Sequence, residues 1–376
     1  MNLHPDFSKR PTKITINLGN LEKNFSALRK NLPASKIMAV VKANAYGHGL
    51  IPCAEKLEKC GADYFGVALV EEGELLRKSG IKAPIHVFGG ILNSQVERFL
   101  AANLELTASS QSKLLAIEEV AAKAQVKAKV HLKIDTGMGR LGVRTESAKA
   151  LIESCRNLKH TEVKGIFSHF ACADDGDLNF TKHQYEKFCQ VVEVAKKELG
   201  PQVLAHIANS AAAIQLPESA LDMVRLGLSL YGVNPSRTLK SGLNLEPVMC
   251  VHSQVVFFKV VKAGDSVSYG RTWTASKDTR VVTVPIGYGD GYLRALSNKA
   301  SVIIRGKRYP IVGRVCMDQL MVGIGDGEAY NGDSVTLIGS DGTESIAVDE
   351  LAELAGSIPH EILAMLNLRM EREFMG

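Results

Sequence analysis

An apolar run that ends in a lysine stands near the start of the chain, in the stretch IMAVVKANAYGHG at residues 37–49. Five apolar residues, two of them β-branched valines, are typical of a buried parallel strand, and the glycines behind Lys42 mark the loop where it ends. An amine in such a low-dielectric site loses its proton more easily and becomes a nucleophile that can form a Schiff base with a carbonyl group. A lysine whose side chain merely reaches solvent from a strand end is the alternative interpretation.

Similar apolar runs recur along the first two thirds of the chain, with helical segments between them. The predicted strands are eight and cover residues 36–41, 64–69, 84–89, 105–109, 128–135, 163–170, 204–210 and 223–231. The helical segments cover residues 18–31, 50–60, 71–79, 94–102, 112–124 and 181–199. Eight such units in about 200 residues predict an α/β fold, an N-terminal (β/α)8 TIM-type barrel with its active site at the C-terminal ends of the strands.

The sequence pattern changes after Gly242. Short runs rich in β-branched residues, separated by glycine and aspartate turns, predict a C-terminal, mainly antiparallel β domain, and a helical stretch at residues 348–367 follows it. The predicted strands cover residues 255–261, 281–286, 301–304, 320–324 and 334–338. We therefore expect two domains, a barrel at residues 1–242 and a β-rich domain at residues 243–376.

Length and composition favour a soluble globular protein. The 376 residues are enough for two domains, and the net charge of +5 is small and dispersed, so no nucleic-acid partner is expected. No apolar run reaches the length of a membrane span and the first residues do not resemble a secretion signal, which predicts a cytoplasmic location and no membrane partner. Seven scattered cysteines without a C-x-x-C pair fit reduced thiols, and no metal site is expected.

Polar residues follow several of the predicted barrel strands, as an active site at their ends requires. The fifth strand runs into a glycine turn that ends at Arg140, and the sixth strand ends beside His169. The seventh ends at Asn209 and Ser210, and the eighth carries Arg225. Each residue alone could be a satisfied core side chain or a paired structural charge. Together they predict a polar cluster at one mouth of the barrel.

Five motifs stand in order along the chain: VKANAYGHG at 41–49, KIDTGMGRLG at 133–142, RLG at 225–227, SYGR at 268–271 and CMD at 316–318. In this combination and order they resemble the motifs of alanine racemases, over nearly the whole chain. The resemblance implies an isomerase that racemises alanine with pyridoxal 5'-phosphate, bound covalently to Lys42, and that supplies D-alanine for peptidoglycan in the cell wall. It also implies a homodimer with shared active sites.

The resemblance implies two catalytic bases, Lys42 on one face of the substrate Cα and Tyr269 of the partner subunit on the other. Because an ordinary tyrosine ionises at about pH 10, Tyr269 needs nearby cations or hydrogen bonds, and the family pattern offers His169 and Arg225 as catalytic partners. Arg225 would also donate to the ring nitrogen of the cofactor. Such a donor limits the charge that the ring takes up and so disfavours transamination.

The other site assignments also follow from the resemblance. Cofactor contacts fall on Lys42, Tyr46, Arg140, His169, Asn209, Ser210, Arg225, Gly227, Leu228 and His360. Substrate contacts fall on Arg140, Met317, Tyr288 and Asp318. Lys133 is offered as a carbamylation site, because two cations in one site, Lys133 and Arg140, would repel each other. His360 stands where the family usually has a tyrosine, so its charge and its hold on phosphate would depend on pH.

Three other functions stay open. A broad-specificity amino-acid racemase is the nearest, although such enzymes usually carry a secretion signal and paired cysteines. A barrel-type amino-acid decarboxylase shares the cofactor lysine but would place a carboxylate at the ring nitrogen, so Arg225 and Tyr269 disfavour it. A non-catalytic cofactor carrier would consist of the barrel alone, and the β domain after residue 242 argues against it.

Overall fold

The computed structural model describes residues 6–235 and 242–376. The described chain divides into two compact units. The barrel unit comprises Leu21–Ala45 and Leu50–Leu245. The C-terminal unit comprises Glu246–Gly376, the N-terminal segment up to Asn20 and the short stretch Tyr46–Gly49. Within the described ranges, no helix combines the length and the apolar character that crossing a membrane demands.

Parallel strands form the core of the barrel unit. Within the described ranges, barrel strands one to eight are Lys36–Val40, Tyr64–Val67, Ile85–Val87, Glu105–Ala108, Ala128–Asp135, Thr161–Phe167, Leu204–His206 and Met223–Leu226. Strands one to seven pair in sequence, and strand eight pairs with strand one. Single backbone hydrogen bonds link strands seven and eight, such as Arg225 N–H to Ala208 O at 3.0 Å. The barrel is thus nearly closed, and the predicted (β/α)8 architecture is confirmed.

One helix precedes the first barrel strand and others follow the barrel strands, where the sequence has helical periodicity. They are Leu18–Asn31, Leu50–Lys59, Val70–Lys78, Val96–Ala101, Gln111–Ala124, Thr145–Ser154, Asn179–Leu199 and Ser210–Gln215. In Gln111–Ala124, for example, Leu114, Ile117 and Ala121 are fully buried, which is the spacing of one helix face. The helices Thr145–Ser154 and Ser210–Gln215 belong to the predicted βα units but were not given bounds from the sequence.

Two sheets and a short ribbon build the C-terminal unit. The larger sheet runs in the order Lys307–Pro310, Ser301–Ile304, Ser334–Asp341, Met249–Gln254, Lys13–Asn17 and Glu371–Met375, with Glu344–Ile346 beside Ser334–Asp341. The smaller sheet runs in the order Phe257–Val261, Thr279–Val284 and Leu320–Gly325. The ribbon pairs Ser266–Val267 with Trp273–Thr274. Most of these pairings are antiparallel, so the predicted β-rich architecture is confirmed.

The N-terminal strand Lys13–Asn17 is a difference from the sequence analysis. It pairs antiparallel with Met249–Gln254 and parallel with Glu371–Met375, whereas residues 1–242 were assigned to the barrel domain. Main-chain hydrogen bonds form whatever the side chains are, so the sequence of a strand does not show which strands it pairs with. The predicted helix 348–367 is two helices, Val348–Ala355 and Pro359–Met365, because φ is 67° at Gly356 and a proline starts the second.

Candidate active site

Lys42 lies where barrel strand one ends and a short left-handed turn begins. Val41 is fully buried, and Lys42 itself is half-buried. The next four residues, Ala43, Asn44, Ala45 and Tyr46, have φ angles of 53°, 56°, 54° and 53°. Left-handed backbone costs roughly 1–2 kcal/mol for each residue that has a Cβ atom. Four such residues in succession persist only where surrounding contacts hold them in place.

Glu72 provides the main contacts that hold this turn. One oxygen of its carboxylate accepts a hydrogen bond from the Ala43 N–H at 2.6 Å. The other oxygen accepts from the N–H groups of Ala68 and Leu69 at 2.8 and 3.1 Å. The side-chain oxygen of Asn44 accepts from the first amide of the next helix at 2.8 Å. A single carboxylate therefore ties together the loops after barrel strands one and two.

The surroundings of Lys42 favour its neutral amine. Burial lowers the pKa of Lys42 most, and the guanidinium groups of Arg140 and Arg225 lower it further. The Glu72 carboxylate opposes this shift. A larger neutral fraction makes the amine a better nucleophile and a better base near neutral pH.

Arg225 projects from barrel strand eight and is 5% exposed. Its Nη2 donates to the carbonyl oxygens of Ser168 and Ile207, both at 2.9 Å, and to His169 Nδ1 at 3.1 Å. Its Nη1 donates to His206 Nδ1 at 3.1 Å. Burial lowers the pKa of Arg225 to about 9, which still leaves it charged at neutral pH. In the part of the chain that the structure describes, no group accepts from its Nε–H, so this donor of the rigid fork is left for a ligand.

His169 follows barrel strand six and is half-buried. Because a guanidinium can only donate, His169 Nδ1 accepts from Arg225, and the ring proton must sit on Nε2. Burial, followed by the charge of Arg225, holds the pKa of His169 well below its ordinary value, so the ring is neutral at pH 7. Its Nε2–H is the donor that His169 can offer to a phenol or to an anion.

Lys133 and Arg140 add two more cations to this mouth. Lys133 is 6% exposed, and its Nζ lies 4.8 Å from the ring centroid of Phe167 and donates to the Ile134 carbonyl at 3.2 Å. Burial, followed by the charge of Arg225, lowers the pKa of Lys133 to about 7. Arg140 is exposed, so its guanidinium is open to a small anion.

Hydroxyl and backbone donors gather behind barrel strands seven and eight. The side-chain oxygen of Asn209 caps the helix that begins at Ser210, accepting a backbone N–H at 2.9 Å. The hydroxyl oxygen of Ser210 accepts from the Gly227 N–H at 2.9 Å, so its own hydrogen remains available to a ligand. The amide of Leu228 starts a 3-10 turn and has no acceptor inside that turn. Barrels often bind phosphate in this region.

Two of the predicted cofactor contacts belong to the C-terminal unit. Tyr46 is 8% exposed, and its ring centroid lies 5.7 Å from that of the His360 imidazole. Burial raises the pKa of Tyr46 far above its ordinary value, so its hydroxyl keeps its proton and can donate. His360 stands in the helix Pro359–Met365.

The other predicted residues of this unit stand on exposed loops. Tyr269 is 70% exposed, Met317 53% and Tyr288 41%. Backbone hydrogen bonds at 3.0 and 2.8 Å join the loops that carry Tyr288 and Met317. The carboxylate of Asp318 pairs with Arg369 at 2.7 Å, and this ion pair braces the Met317 loop.

The predicted site residues thus fall into two groups. The barrel unit holds Lys42, Lys133, Arg140, His169, Asn209, Ser210, Arg225, Gly227 and Leu228. The C-terminal unit holds Tyr46, Tyr269, Tyr288, Met317, Asp318 and His360. In the barrel unit the ionisable members come together at one mouth, since their charges shift one another's pKa. Their roles in binding and catalysis stay predictions.

Three buried histidines lie close enough to raise the question of a metal site. One ring nitrogen from each of His86, His131 and His206 lies within 4.8 Å of the others. Both ring nitrogens of His131 and His206 already take part in hydrogen bonds, which end at Glu105 and at Arg225. A divalent cation would also meet the Arg225 guanidinium one hydrogen bond away. The donor set therefore fits a hydrogen-bonded network better than a cation.

The sequence analysis missed Glu72 and the buried polar layer inside the barrel. A signal for that layer is present in the sequence, because polar residues at alternate positions of an apolar barrel strand face the interior. Glu105 and Thr107 alternate in this way in strand four, and His131 and Lys133 in strand five. Glu72 gives no such signal, since a glutamate in the first turn of a helix is ordinary.

Comparison with known proteins supplies the family. The alanine racemase N-terminal domain model matches residues 16–235, and the C-terminal domain model matches residues 248–374. The alanine racemase of Halothermothrix orenii is 41% identical, with 97% of each chain covered. Alanine racemase 2 of Bacillus subtilis is 41% identical, covering 97% of this chain and 95% of its own.

Solved structures agree over the same length. The alanine racemase of D-cycloserine-producing Streptomyces lavendulae is 33% identical with a TM-score of 0.93, covering 98% of both chains. The alanine racemase of Bacillus anthracis with bound L-Ala-P is 33% identical with a TM-score of 0.92, covering 99% of this chain and 96% of its own. Two matching domain models, full-length relatives and the shared fold all point the same way: this chain belongs to the alanine racemase family.

Proposed function

We propose that this protein is an alanine racemase, which interconverts L-alanine and D-alanine with pyridoxal 5'-phosphate and so supplies D-alanine for peptidoglycan. One observation carries the proposal. Arg225 is held rigidly inside the barrel with its Nε–H left over, at the same mouth as a lysine whose pKa is lowered. A permanently charged donor at a pyridine nitrogen makes the ring a weaker electron sink, which suits racemisation better than transamination.

The residues of the barrel mouth fit this cofactor. Lys42 offers an amine for its aldehyde, and Arg225 offers the Nε–H for its ring nitrogen. Ser210 and the Leu228 amide offer donors for its phosphate, and Gly227 and Asn209 hold those donors in place. When bound, the cofactor withdraws electron density from the substrate Cα and makes its proton removable.

Tyr46 and His360 are the proposed phosphate partners from the C-terminal unit. The buried Tyr46 hydroxyl stays protonated and can donate at any physiological pH. His360 lies against the Tyr46 ring and can donate from either ring nitrogen. A histidine in place of the usual tyrosine would make the cofactor affinity depend on pH, with tighter binding when the imidazole is charged.

Lys42 and Tyr269 are the two proposed bases. Racemisation takes a proton from one face of Cα and returns a proton to the opposite face, so a group is needed on each side. Lys42 removes the proton from one face as a neutral amine. Tyr269 serves the other face, and the Nε2–H of His169, polarised by Arg225, is the donor that would stabilise its phenolate.

The exposure of Tyr269 supports a homodimer with shared active sites. A catalytic tyrosine that is 70% exposed in its own chain needs a second surface to exclude water from the reaction. Tyr288 and Met317 are also exposed on loops of the same unit. We infer that the β-rich domain from residue 243 onward brings these loops into the barrel mouth of a second subunit.

Alanine is the proposed substrate, with its carboxylate held by Arg140. The Met317 amide and Tyr288 complete the substrate contacts, while Asp318 holds the loop through its ion pair with Arg369. A decarboxylase is the second candidate, since it shares the cofactor lysine. The charged donor Arg225 at the ring nitrogen disfavours it. A cytoplasmic location suits the seven cysteines, none of which forms a disulfide in the described part of the chain.

Carbamylation of Lys133 is a further part of the proposal. A pKa of about 7 leaves much of this amine neutral, and the neutral amine is the form that adds to carbon dioxide and releases one proton. The resulting carbamate would be an anion between Arg140 and Arg225. Intact mass in bicarbonate buffer should show the adduct. Absence of the adduct, together with activity that does not depend on carbon dioxide, would contradict carbamylation of Lys133.

Circular dichroism of L-alanine incubated with cofactor-loaded protein tests the function. The optical activity should decay to zero with wild type and persist with Lys42→Ala. Tyr269→Phe should be far slower in taking the proton from L-alanine, because one face of Cα loses its base. A persisting signal beside a Lys42-dependent chromophore would favour a carrier, and release of carbon dioxide would favour a decarboxylase.

A further inference from the structure

A continuous hydrogen-bonded chain crosses the inside of the barrel from Arg225 to Glu105. Arg225 Nη1 meets His206 Nδ1 at 3.1 Å, and His206 Nε2 meets His131 Nδ1 at 2.9 Å. His131 Nε2 then meets a carboxylate oxygen of Glu105 at 2.7 Å. The four side chains are 5%, 0%, 0% and 2% exposed, in that order. Barrel strands five and seven are not neighbours, so the bond between the two imidazoles spans the barrel interior.

Arg225, at one end of this chain, sets the donor-to-acceptor direction of every hydrogen bond in it. A guanidinium can only donate, so His206 Nδ1 accepts and its ring proton lies on Nε2. The Nε2–H of His206 then donates to His131 Nδ1, so the His131 ring proton lies on Nε2. This last N–H donates to the Glu105 carboxylate. All three bonds therefore point from the cation toward the anion.

The barrel is shaped around this chain. Gly165 on barrel strand six has no side chain, and a Cβ atom there would lie 2.4 Å from His131 Nδ1. Any larger residue would push the imidazole out of line with His206. On its other face His131 stacks on the His86 ring, with centroids 4.1 Å apart. The position of His131 is therefore fixed from two sides by packing as well as by hydrogen bonds.

Arg225 needs an anion that its near neighbours do not provide. The charged groups that interact with it are Lys42, Lys133 and Arg140, all of them cations, and Lys133 lies over the same Phe167 ring. Within residues 6–235 and 242–376, no carboxylate forms a direct ion pair with Arg225. A buried charge without a counter-ion is costly. Glu105 is the carboxylate that the hydrogen bonds reach.

We propose that Glu105 is the counter-ion of Arg225, acting through His131 and His206, which position the guanidinium so that its Nε–H points to the reacting ligand. This proposal rests on the proposed function only for the identity of that ligand. The hydrogen-bonded chain from Arg225 to Glu105 is already present in the protein without ligand. Glu105, His131 and His206 are positioning residues, since none of them is required to touch substrate or cofactor.

The tautomers can be read in the ligand-free protein. Wild-type protein with 15N-labelled histidine would be examined by NMR, with His131→Gln and His206→Gln used to assign the ring nitrogens. Both imidazoles should carry one proton, on Nε2, as the hydrogen bonds require. A doubly protonated ring at neutral pH, or a proton on Nδ1 of either residue, would overturn the proposal. This outcome does not depend on racemase activity.

The counter-ion role is tested by Glu105→Gln, with Thr107→Val as the matched control. Both residues lie buried on the same face of barrel strand four, and only the first belongs to the chain. Losing the negative charge favours the deprotonated state of bases in the site, so the acid limb of kcat/KM should move to lower pH by roughly half a unit to one unit. Thr107→Val should leave it in place.

Equal pH profiles for the two variants would refute the counter-ion role. If Glu105→Gln fails to fold, the tautomers in wild-type protein still decide the matter. If the wild-type protein does not racemise alanine while both histidine tautomers are as expected, the proposed function is wrong. The hydrogen-bonded chain from Arg225 to Glu105 would still be confirmed.

Discussion

Lys133 and Arg225 show how one barrel interior treats two cations differently. Both lie over the Phe167 ring, with Lys133 Nζ 4.8 Å and Arg225 Cζ 5.7 Å from its centroid. The ring face attracts both by roughly 0.5–2 kcal/mol. Arg225 also donates to carbonyl and imidazole acceptors, whereas Lys133 has the Ile134 carbonyl as its hydrogen-bond acceptor. Burial lowers the pKa of both groups, to about 9 for Arg225 and to about 7 for Lys133, so the guanidinium, whose ordinary pKa is higher, is the group that stays charged at neutral pH.

Lys133→Met should make the ligand-free protein more stable in bicarbonate-free buffer. The folded-state pKa of about 7 lies below the ordinary value of 10.5, so the unfolded chain binds more protons between these values and wild-type stability rises with pH there. The variant should gain up to about 5 kcal/mol in the free energy of unfolding at about pH 6, and the gain should disappear toward pH 10.5. Denaturant unfolding across this pH range measures it.

Lys149→Met is the control for that experiment. The Lys149 side chain is 72% exposed, so its removal should change stability little at any pH. A Lys133→Met variant that is less stable than wild type at every pH would contradict the argument. It would mean that groups around Lys133 compensate the charge of its amine in the folded protein.

At the scale of elements, the left-handed turn after barrel strand one follows directly on Lys42, the proposed catalytic lysine. Ala43 to Ala45 sit in a backbone region that disfavours residues with a Cβ atom. Helix Val70–Lys78 offsets this through Glu72, which accepts the Ala43 N–H. The strain lies next to the proposed catalytic lysine, and backbone strain commonly concentrates at functional sites.

Ala43→Gly should stabilise the protein by about 0.5–1 kcal/mol. Glycine removes the Cβ penalty of about 1–2 kcal/mol, and part of that gain is lost to the greater freedom of the unfolded chain. Ala150→Gly is the matched control, because Ala150 is exposed in the helix Thr145–Ser154 and should lose about 1 kcal/mol. Thermal unfolding of both variants measures the difference. Equal destabilisation of the two would show that the turn is not strained.

At the scale of the whole molecule, Lys42 and Tyr269 stand in different units of the chain. If Tyr269 acts on the barrel of a second subunit, two inactive variants can restore each other. A mixed dimer of Lys42→Ala and Tyr269→Phe chains holds one site with both substitutions and one site with neither. An equal, randomly assorted mixture should therefore recover about a quarter of wild-type activity.

For this measurement the two variants are unfolded, mixed and refolded together. Racemisation by the mixture is then followed by circular dichroism. Each variant refolded alone is the control and should stay inactive. No recovery in the mixture, at a dimer yield equal to that of wild type, would place Tyr269 in the active site of its own subunit.

The sequence was a good guide wherever local pattern and motif sufficed. Apolar runs bounded by glycine predicted each barrel strand, and helix 18–31 has the predicted bounds. The motif residues Lys42, His169 and Arg225 lie at one mouth because parallel strands of a barrel end on the same side. The N-terminal strand Lys13–Asn17 was not foreseen, since its partners lie more than 200 residues away in the chain.

The sequence by itself determined the two architectures, the position of the reactive lysine and the family, because periodicity and ordered motifs are properties of the chain. Only the tertiary structure decided which ring nitrogens of His131 and His206 carry the protons. His131, His206 and Glu105 stand on three different strands, and closure of the barrel makes them one directed chain to Arg225. A hydrogen bond depends on ångström distances between groups far apart in sequence, and no pattern in the chain encodes such distances.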